Sequence, residues 1–505
     1  MPTQLQWLRA RAIHAYFKDR EGIDSQIHRE VFAFCDCPPR IYSTAYAFAL
    51  VTDWGSVVTW GDASYGGDCD AVAAQLSSGV QTVFANGTAF AALKVDGSVV
   101  TWGDKENGGD ASSVTSQLLS GVRHIVGNLG AFAAVRSDGA VVTWGLASGG
   151  GDSSGVAAQL SSGVACIVGN DRAFAAVKDD GSAVTWGMAS CGGDSSGVAA
   201  HLLSGVARIV GNDRAFAAVK DDGSVVTWGM GTDSEGTSWG GDSSGVAAQL
   251  SGGVQTVIGN AGAFAALKID GSVVTWGDEV DGGDPGFLVA ALLSRGVQTV
   301  VANGHAFAAL KSDGAVVTWG GGGGGDSDDV APHLASGVVR VVGSGRSARE
   351  GSFAAVKSDG SVVTWGLISL HNIEASMEIV GVKTVVANSG GAFAALKYDG
   401  SVVTWGRFHF GGDSSGVAAQ LSSGVQTVVG NRGAFAAVKV DGTLVTWGHF
   451  HYGGDSSGIE LSQMLGITTP KFNFNWDLTP GGFDFSFDYS FDYSFDYSFD
   501  YSFDF

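Results

Sequence analysis

Cysteine, cationic side chains and long apolar runs are all scarce in this chain. The five cysteines among 505 residues (Cys35, Cys37, Cys69, Cys166, Cys191) are odd in number and missing from most of the repeats described below. That excludes a disulfide framework or a repeated metal site. Cys35 and Cys37 offer two thiolates with no matching second pair, so no zinc centre is expected there. The 28 Lys and Arg against 50 Asp and Glu leave a net charge of −22. Such a chain repels phosphate backbones and anionic lipid, and direct contact with nucleic acid or a membrane surface is disfavoured. No run is apolar and long enough to span a bilayer, and arginines interrupt the apolar stretch near Met1 where a signal peptide would have its core. A soluble protein of a reducing compartment is expected, cytoplasmic with a nuclear location left open.

What is abundant is glycine, 79 residues, and it is periodic. Trp-Gly recurs at Trp60, Trp102, Trp144, Trp186, Trp228, Trp276, Trp319, Trp365, Trp405 and Trp447, at spacings of about 42 residues. Each Trp-Gly closes a stretch like Ala263-Phe264-Ala265-Ala266-Leu267-Lys268-Ile269-Asp270-Gly271-Ser272-Val273-Val274-Thr275-Trp276-Gly277. Asp-Gly between two β-rich runs predicts a hairpin with a tight primed turn. One hairpin is marginal in water, so the copies must stack.

Four short segments are readable in a unit, taking residues 253–294: a from Gly253 to Ile258, b from Ala263 to Lys268, c from Ser272 to Trp276, and d from Leu288 to Leu293. Their length and the Gly, Asn and Asp between them predict strands. Segment b is apolar on both faces, as suits a strand between two sheets. The fold class is therefore all-β, a β-propeller-like array of about ten four-stranded blades over residues 42–465. Ten exceeds the usual blade number, and one wide ring, two rings or an open winding are all compatible with the pattern. The first copy is degenerate, as expected of a terminal cap.

Residues 1–41 form a separate leading segment. Leu5, Leu8, Ala12 and Tyr16 predict a short amphipathic helix over 3–20, either packed on the repeats or serving as a basic transit peptide. Residues 466–505 end in an alternating Phe-Asp-Tyr-Ser tract with six aspartates and no cation after Phe483. A disordered, sticky acidic tail is expected, or a segment that folds on binding.

The unit resembles the regulator of chromosome condensation repeat: Gly79-Val80, Leu93, Asp96-Gly97 and Trp102-Gly103 match its pattern and recur in nearly every copy. The short period is more similar to bacterial members such as the β-lactamase-inhibitory propeller protein. The resemblance implies a propeller and, in some members, regulation of a small GTPase by nucleotide exchange. Gly-Gly-Asp-Ser-Ser-Gly, as at Gly240 to Gly245, replaces the family's Asn-x-x-Gly-Gln-Leu-Gly. No protruding exchange element is recognisable, so no exchange residues carry over. A ubiquitin-ligase role would need a reactive cysteine, and none follows Cys191.

Antiparallel strands would put the a–b and c–d connections on one rim and the b–c and d–a connections on the other. The second rim repeats monotonously, whereas the first varies, so the first is the expected binding surface. Its candidate residues are Arg346 and Arg349 in the longest a–b turn, His371, Arg407-Phe408-His409-Phe410 and His449-Phe450-His451-Tyr452. The four histidines fall in three consecutive units, and an aromatic contact patch is favoured over a metal site. Nine aspartates, Asp68 to Asp455, recur after Gly-Gly and could attract Ca²⁺ or a basic partner, but a turn-forming role is favoured. The five Gly-Asp-Ser-Ser-Gly copies cannot each be a serine nucleophile with its own base, and Gly320 to Gly325 lack the βαβ setting of a dinucleotide site. No catalytic residue, metal or cofactor is expected. The reading is a non-enzymatic scaffold for a protein partner, one with a basic surface or a small GTPase, with oligomeric state open.

Overall fold

The repeated hairpins all fold into one three-stranded meander. The computed structural model describes residues 40–457 except 54, 322, 346–350 and 368–378. These residues hold ten antiparallel sheets, each with its three strands in chain order. The first comprises β1 (Arg40–Ser43), β2 (Ala47–Val51) and β3 (Val57–Gly61). In the sixth, Val254–Gly259, Ala263–Lys268 and Val273–Gly277 pair with Ile258 opposite Ala265 and Phe264 opposite Trp276. The expected all-β array of ten units is present. The helix over 3–20, Cys35, Cys37 and the tail over 466–505 lie outside the described residues.

The fourth strand is not formed. Where segment d was expected, the chain makes a short helical turn, such as Gly286–Leu292 or Ser244–Val246. Its final leucine still caps the sheet edge, since Val273 N–H donates to Leu293 C=O at 3.0 Å and Val225 N–H to Leu250 C=O at 3.0 Å. One bond and one buried leucine cover an edge that would otherwise be open to pairing. An apolar run of six residues reads the same for a buried strand and a short helix.

The hairpin turn also differs from the two-residue type. Gly271 N–H donates to Lys268 C=O (2.9 Å) and Lys268 N–H to Ser272 C=O (2.8 Å), enclosing three residues. Gly271 has φ 77°, and no non-glycine described residue has positive φ. This is a type I turn followed by a left-handed glycine bulge. Asp270 stays right-handed because its Oδ1 accepts both the N–H and the hydroxyl of Ser272, at 3.0 and 2.6 Å. The turn then docks on its neighbour: Val297 N–H of the next unit donates to Gly271 C=O at 2.9 Å.

Each middle strand is buried on both faces. Ala89, Ala91 and Leu93 pack forward on Phe132, Ala134 and Trp144 of the next unit, while Phe90 and Ala92 pack back on Ala47 and Ala49. Alanine on both faces lets sheets approach closely without a void. Phe264 stacks on Trp276 at 5.3 Å between centroids, and the Trp276 indole donates to Gly240 C=O of the preceding unit at 3.0 Å. The same bond joins eight other pairs, for example Trp102 to Gly66 and Trp447 to Gly411.

The array closes on itself. Trp60 of the first unit donates to Gly453, following the tenth, at 3.2 Å. The forward face of the tenth middle strand, Ala434, Ala436 and Val438, is at most 1 % exposed, as it could not be at a free end. First strands of consecutive units run beside one another all the way round, including the last against the first, while third strands splay and the helical turns fill the gaps between them. The first strands therefore line the inside of a single ten-unit ring.

Candidate interaction rim

Eight of the ten first strands end at an asparagine that builds the rim, and Thr44 and Ser344 stand there in the first and eighth units. Asn128 Oδ1 accepts from Gly130 N–H and Ala131 N–H, shaping the a–b turn, while its Nδ2 donates to Gly149 C=O of the c–d loop at 2.7 Å. Asn431 does the same with Gly433, Ala434 and Tyr452. These asparagines are buried and each ties an a–b turn to a c–d loop, so the two are fixed side by side on one rim. Neighbouring a–b turns are also linked, as Ser389 N–H to Asn431 C=O at 3.2 Å and Ala261 N–H to Gly304 C=O at 3.0 Å.

The opposite rim carries the Asp-Gly turns and the entry to each unit. Lys268 Nζ reaches Gln249 C=O there at 2.8 Å. The post-Gly-Gly aspartates act in turns: Asp152 Oδ1 accepts from Ser154 N–H at 2.9 Å, and Asp68, Asp110, Asp194, Asp242, Asp284, Asp326, Asp413 and Asp455 each accept from the N–H two residues on. The first serine of the motif is equally committed, Ser195 to Thr185 at 2.9 Å. Among the described residues no group of His, Cys, Asp and Glu is placed to hold a metal ion. Cys69 and Cys191 are buried free thiols, their pKa pushed up by burial.

On the variable rim, Arg407–Phe410 and His449–Tyr452 lie in equivalent loops of the ninth and tenth units, and Phe408–Phe410 and Phe450–Tyr452 each form one 3₁₀ turn. The structure brings them together. Phe410 meets Tyr452 edge to face at 6.0 Å, and His449 lies 5.2 Å from Tyr452 and 5.5 Å from His451. The Arg407 guanidinium sits 4.8 Å above the Phe410 ring. Phe408 and Phe450 project into solvent, each 63 % exposed. The rings lie flat because glycine is beneath them: a Cβ at Gly433 would come within 2.5 Å of Tyr452 Cδ2. Arg346, Arg349 and His371 lie outside the described residues.

The patch continues at residues that no sequence motif marks. Tyr452 stacks on Tyr46 at 5.2 Å, Tyr46 on Tyr65 at 4.6 Å, and Arg432 donates to the Tyr46 hydroxyl at 3.2 Å. Phe410, Tyr452, Tyr46 and Tyr65 thus form one aromatic row over units nine, ten and one. Tyr46 occupies the a–b position aligned with Gly433, and aligning the units would have flagged it once the ends were known to meet. A second cluster, Arg214 over Trp239 at 4.2 Å with Trp239 donating to Asp233 at 3.0 Å, is built by the longer loop before the sixth unit.

His449 is the electrostatically distinctive member. Partial burial holds its pKa below the ordinary histidine value, and the neighbouring His451 and His409 add to the effect. The neutral ring is therefore favoured, and its Nδ1 accepts from His451 N–H at 3.3 Å. What the row offers is a mostly apolar strip with two guanidinium groups along it.

No family model and no curated protein sequence matches the chain. Among solved structures it is similar to yeast RCC1 (Prp20) in complex with Kap60, at 16 % identity over 48 % of this chain and 70 % of that one, TM-score 0.28. It is similar also to the computationally designed Ika8 protein, at 14 % identity over 74 % and 96 %, TM-score 0.30. A third is the β-propeller domain of Cps50 (Swd1) from Myceliophteria thermophila, at 12 % identity over 57 % and 96 %, TM-score 0.23. Scores this low mean the whole backbones do not superpose, and the ten-unit ring rests on its own contacts.

Proposed function

We propose that this protein is a non-enzymatic interaction scaffold that holds a protein partner on the rim formed by its a–b turns and c–d loops. The single observation that carries the reading is the aromatic row Phe410, Tyr452, Tyr46 and Tyr65, drawn from three units whose other positions are near-copies. A rigid ring beneath differentiated loops keeps the entropic cost of binding low, and aromatic and arginine side chains are the usual anchors of a contact surface. The partner that suits this sector presents an apolar surface rimmed by carboxylates, which would meet Arg407 and Arg432. The acidic loops elsewhere on the rim suit a basic partner, and a small GTPase is one candidate.

The test is affinity capture with the full chain against a variant whose 407–410 and 449–452 loops are replaced by Gly-Ser. Loss of captured partners supports the rim; an unchanged set removes it. Nucleotide release from a panel of small GTPases separates exchange activity from simple binding.

A further inference from the structure

The ten first strands carry a charge pattern opposite to that of the rest of the molecule. Arg40, Arg123, Arg208, Arg340 and Lys383 lie on them, and not one Asp or Glu does, in a chain where acids outnumber bases 50 to 28. All five side chains are exposed, and His124 is exposed beside Arg123. In every unit but the first a bulge lies at the second position of the strand, and in five units, as at Val122/His124 and Val206/Arg208, it leaves two adjacent residues exposed on the inside of the ring.

Among the described residues these cations meet carbonyl and hydroxyl oxygens and no carboxylate. Arg123 donates to Val164 C=O of the next unit at 2.6 Å, Arg208 to Gln255 C=O, and Arg340 to the Thr384 hydroxyl at 3.0 Å. Those bonds aim the guanidinium groups along the inner wall and use only part of their five donors. None of the five cations is in an ion pair among the described residues. The remaining N–H groups face the inside of a ring whose first strands carry no Asp or Glu, which concentrates positive potential there.

The geometry points to the lumen of the ring as a binding site for an extended acidic polypeptide segment, separate from the rim and independent of its role. Carboxylates spaced along a peptide match guanidinium groups spread over units three, five and eight, each able to take a bidentate contact. A single-stranded nucleic acid would want stacking platforms, and outside the first strand the second and third positions are Gln, Thr, Ala, Val, Cys166 and cations, with His124 the one ring among them. A duplex would meet the acidic rims first.

The test is fluorescence anisotropy with the full chain and a labelled dodeca-glutamate peptide, with labelled dodeca-thymidylate alongside. The peptide should bind, weaken at least about tenfold when salt is raised from about 50 to about 500 mM, and outcompete the oligonucleotide. Because the arginines also bridge units, the decisive variant leaves them in place: Gln81→Glu, Gln298→Glu and Gln426→Glu together add three carboxylates at exposed lumen positions. It should lower peptide affinity at least about tenfold with an unchanged melting curve, while the 407–410 and 449–452 loop variant leaves peptide binding intact. No peptide binding at low salt, binding unaffected by the three glutamates, or preference for the oligonucleotide would each overturn the assignment.

Discussion

The indole N–H of Trp60 donates to the carbonyl of Gly453, 393 residues away, at 3.2 Å. It is the same bond that joins Trp102 to Gly66 within the array, so the ends meet by the contact that joins eight other pairs of neighbours. Gly453 makes this possible with φ 84° and a bare α-carbon against Phe48.

Gly453→Ala should therefore loosen the ring at its seam. The new methyl would lie 2.9 Å from Phe48 Cδ2 in a backbone region that disfavours it, at a cost of about 1–3 kcal/mol. Denaturant midpoints check this, with small-angle scattering to report opening. No shift in either would argue against closure.

Trp276 and Trp405 should respond differently to the same substitution. Both are buried, but Trp276 donates to Gly240 and Trp405 has no partner for its N–H. No glycine lies between Gly366 and Gly381, where the other units supply the acceptor from a glycine. Trp276→Phe forfeits a buried hydrogen bond, whereas Trp405→Phe removes an unsatisfied donor. The first should cost about 1–2 kcal/mol more than the second. Equal costs in chemical denaturation would contradict this.

His449 should titrate below the ordinary histidine midpoint of about 6.5 in an NMR titration. Replacing His409 and His451 with Gln should move it part of the way back, because burial is the larger cause. A base whose folded pKa is depressed takes up its proton more readily when unfolded. Its contribution therefore favours the native state at neutral pH and is lost as pH falls through about 6.5 towards the folded value. A midpoint at or above 6.5 would refute the buried, crowded setting.

The hairpin aspartates predict an acid limb. Asp96, Asp180, Asp222, Asp270, Asp359 and Asp399 are held below the usual carboxylate value, first by the hydroxyl and then by the N–H of the serine two residues on. A depressed acid stabilises the native state above its unfolded pKa, and that stability fades as pH drops from about 4 through the folded values. Melting temperature should fall over that range, and a flat profile would show that the turns contribute little.

Much of this architecture was legible because it is repeated. Asp-Gly, Trp-Gly and the alternating Ala and Phe of the middle strand are local signals, and nine or ten copies of each outweigh any single ambiguity. The fourth segment was not legible as a helix because Leu288 to Leu293 carries no period that separates a short helix from a buried strand. The turn type was misread because Asp-Gly serves both the primed turn and the glycine-bulge turn. The loops at 407–410 and 449–452 stood out by their difference from other copies, but Tyr46 and Tyr65 did not, since their place beside Tyr452 depends on closure.

The ring also fixes its own copy number. Ten joints sharing a full turn must each bend by about 36°, and the thin alanine faces of the middle strands set that angle at every joint. Losing one 42-residue copy would oblige all nine survivors to open to about 40° together. An open array tolerates gain or loss of a repeat at its ends, whereas this molecule has no end, and a duplication that suits one joint is a misfit at all of them.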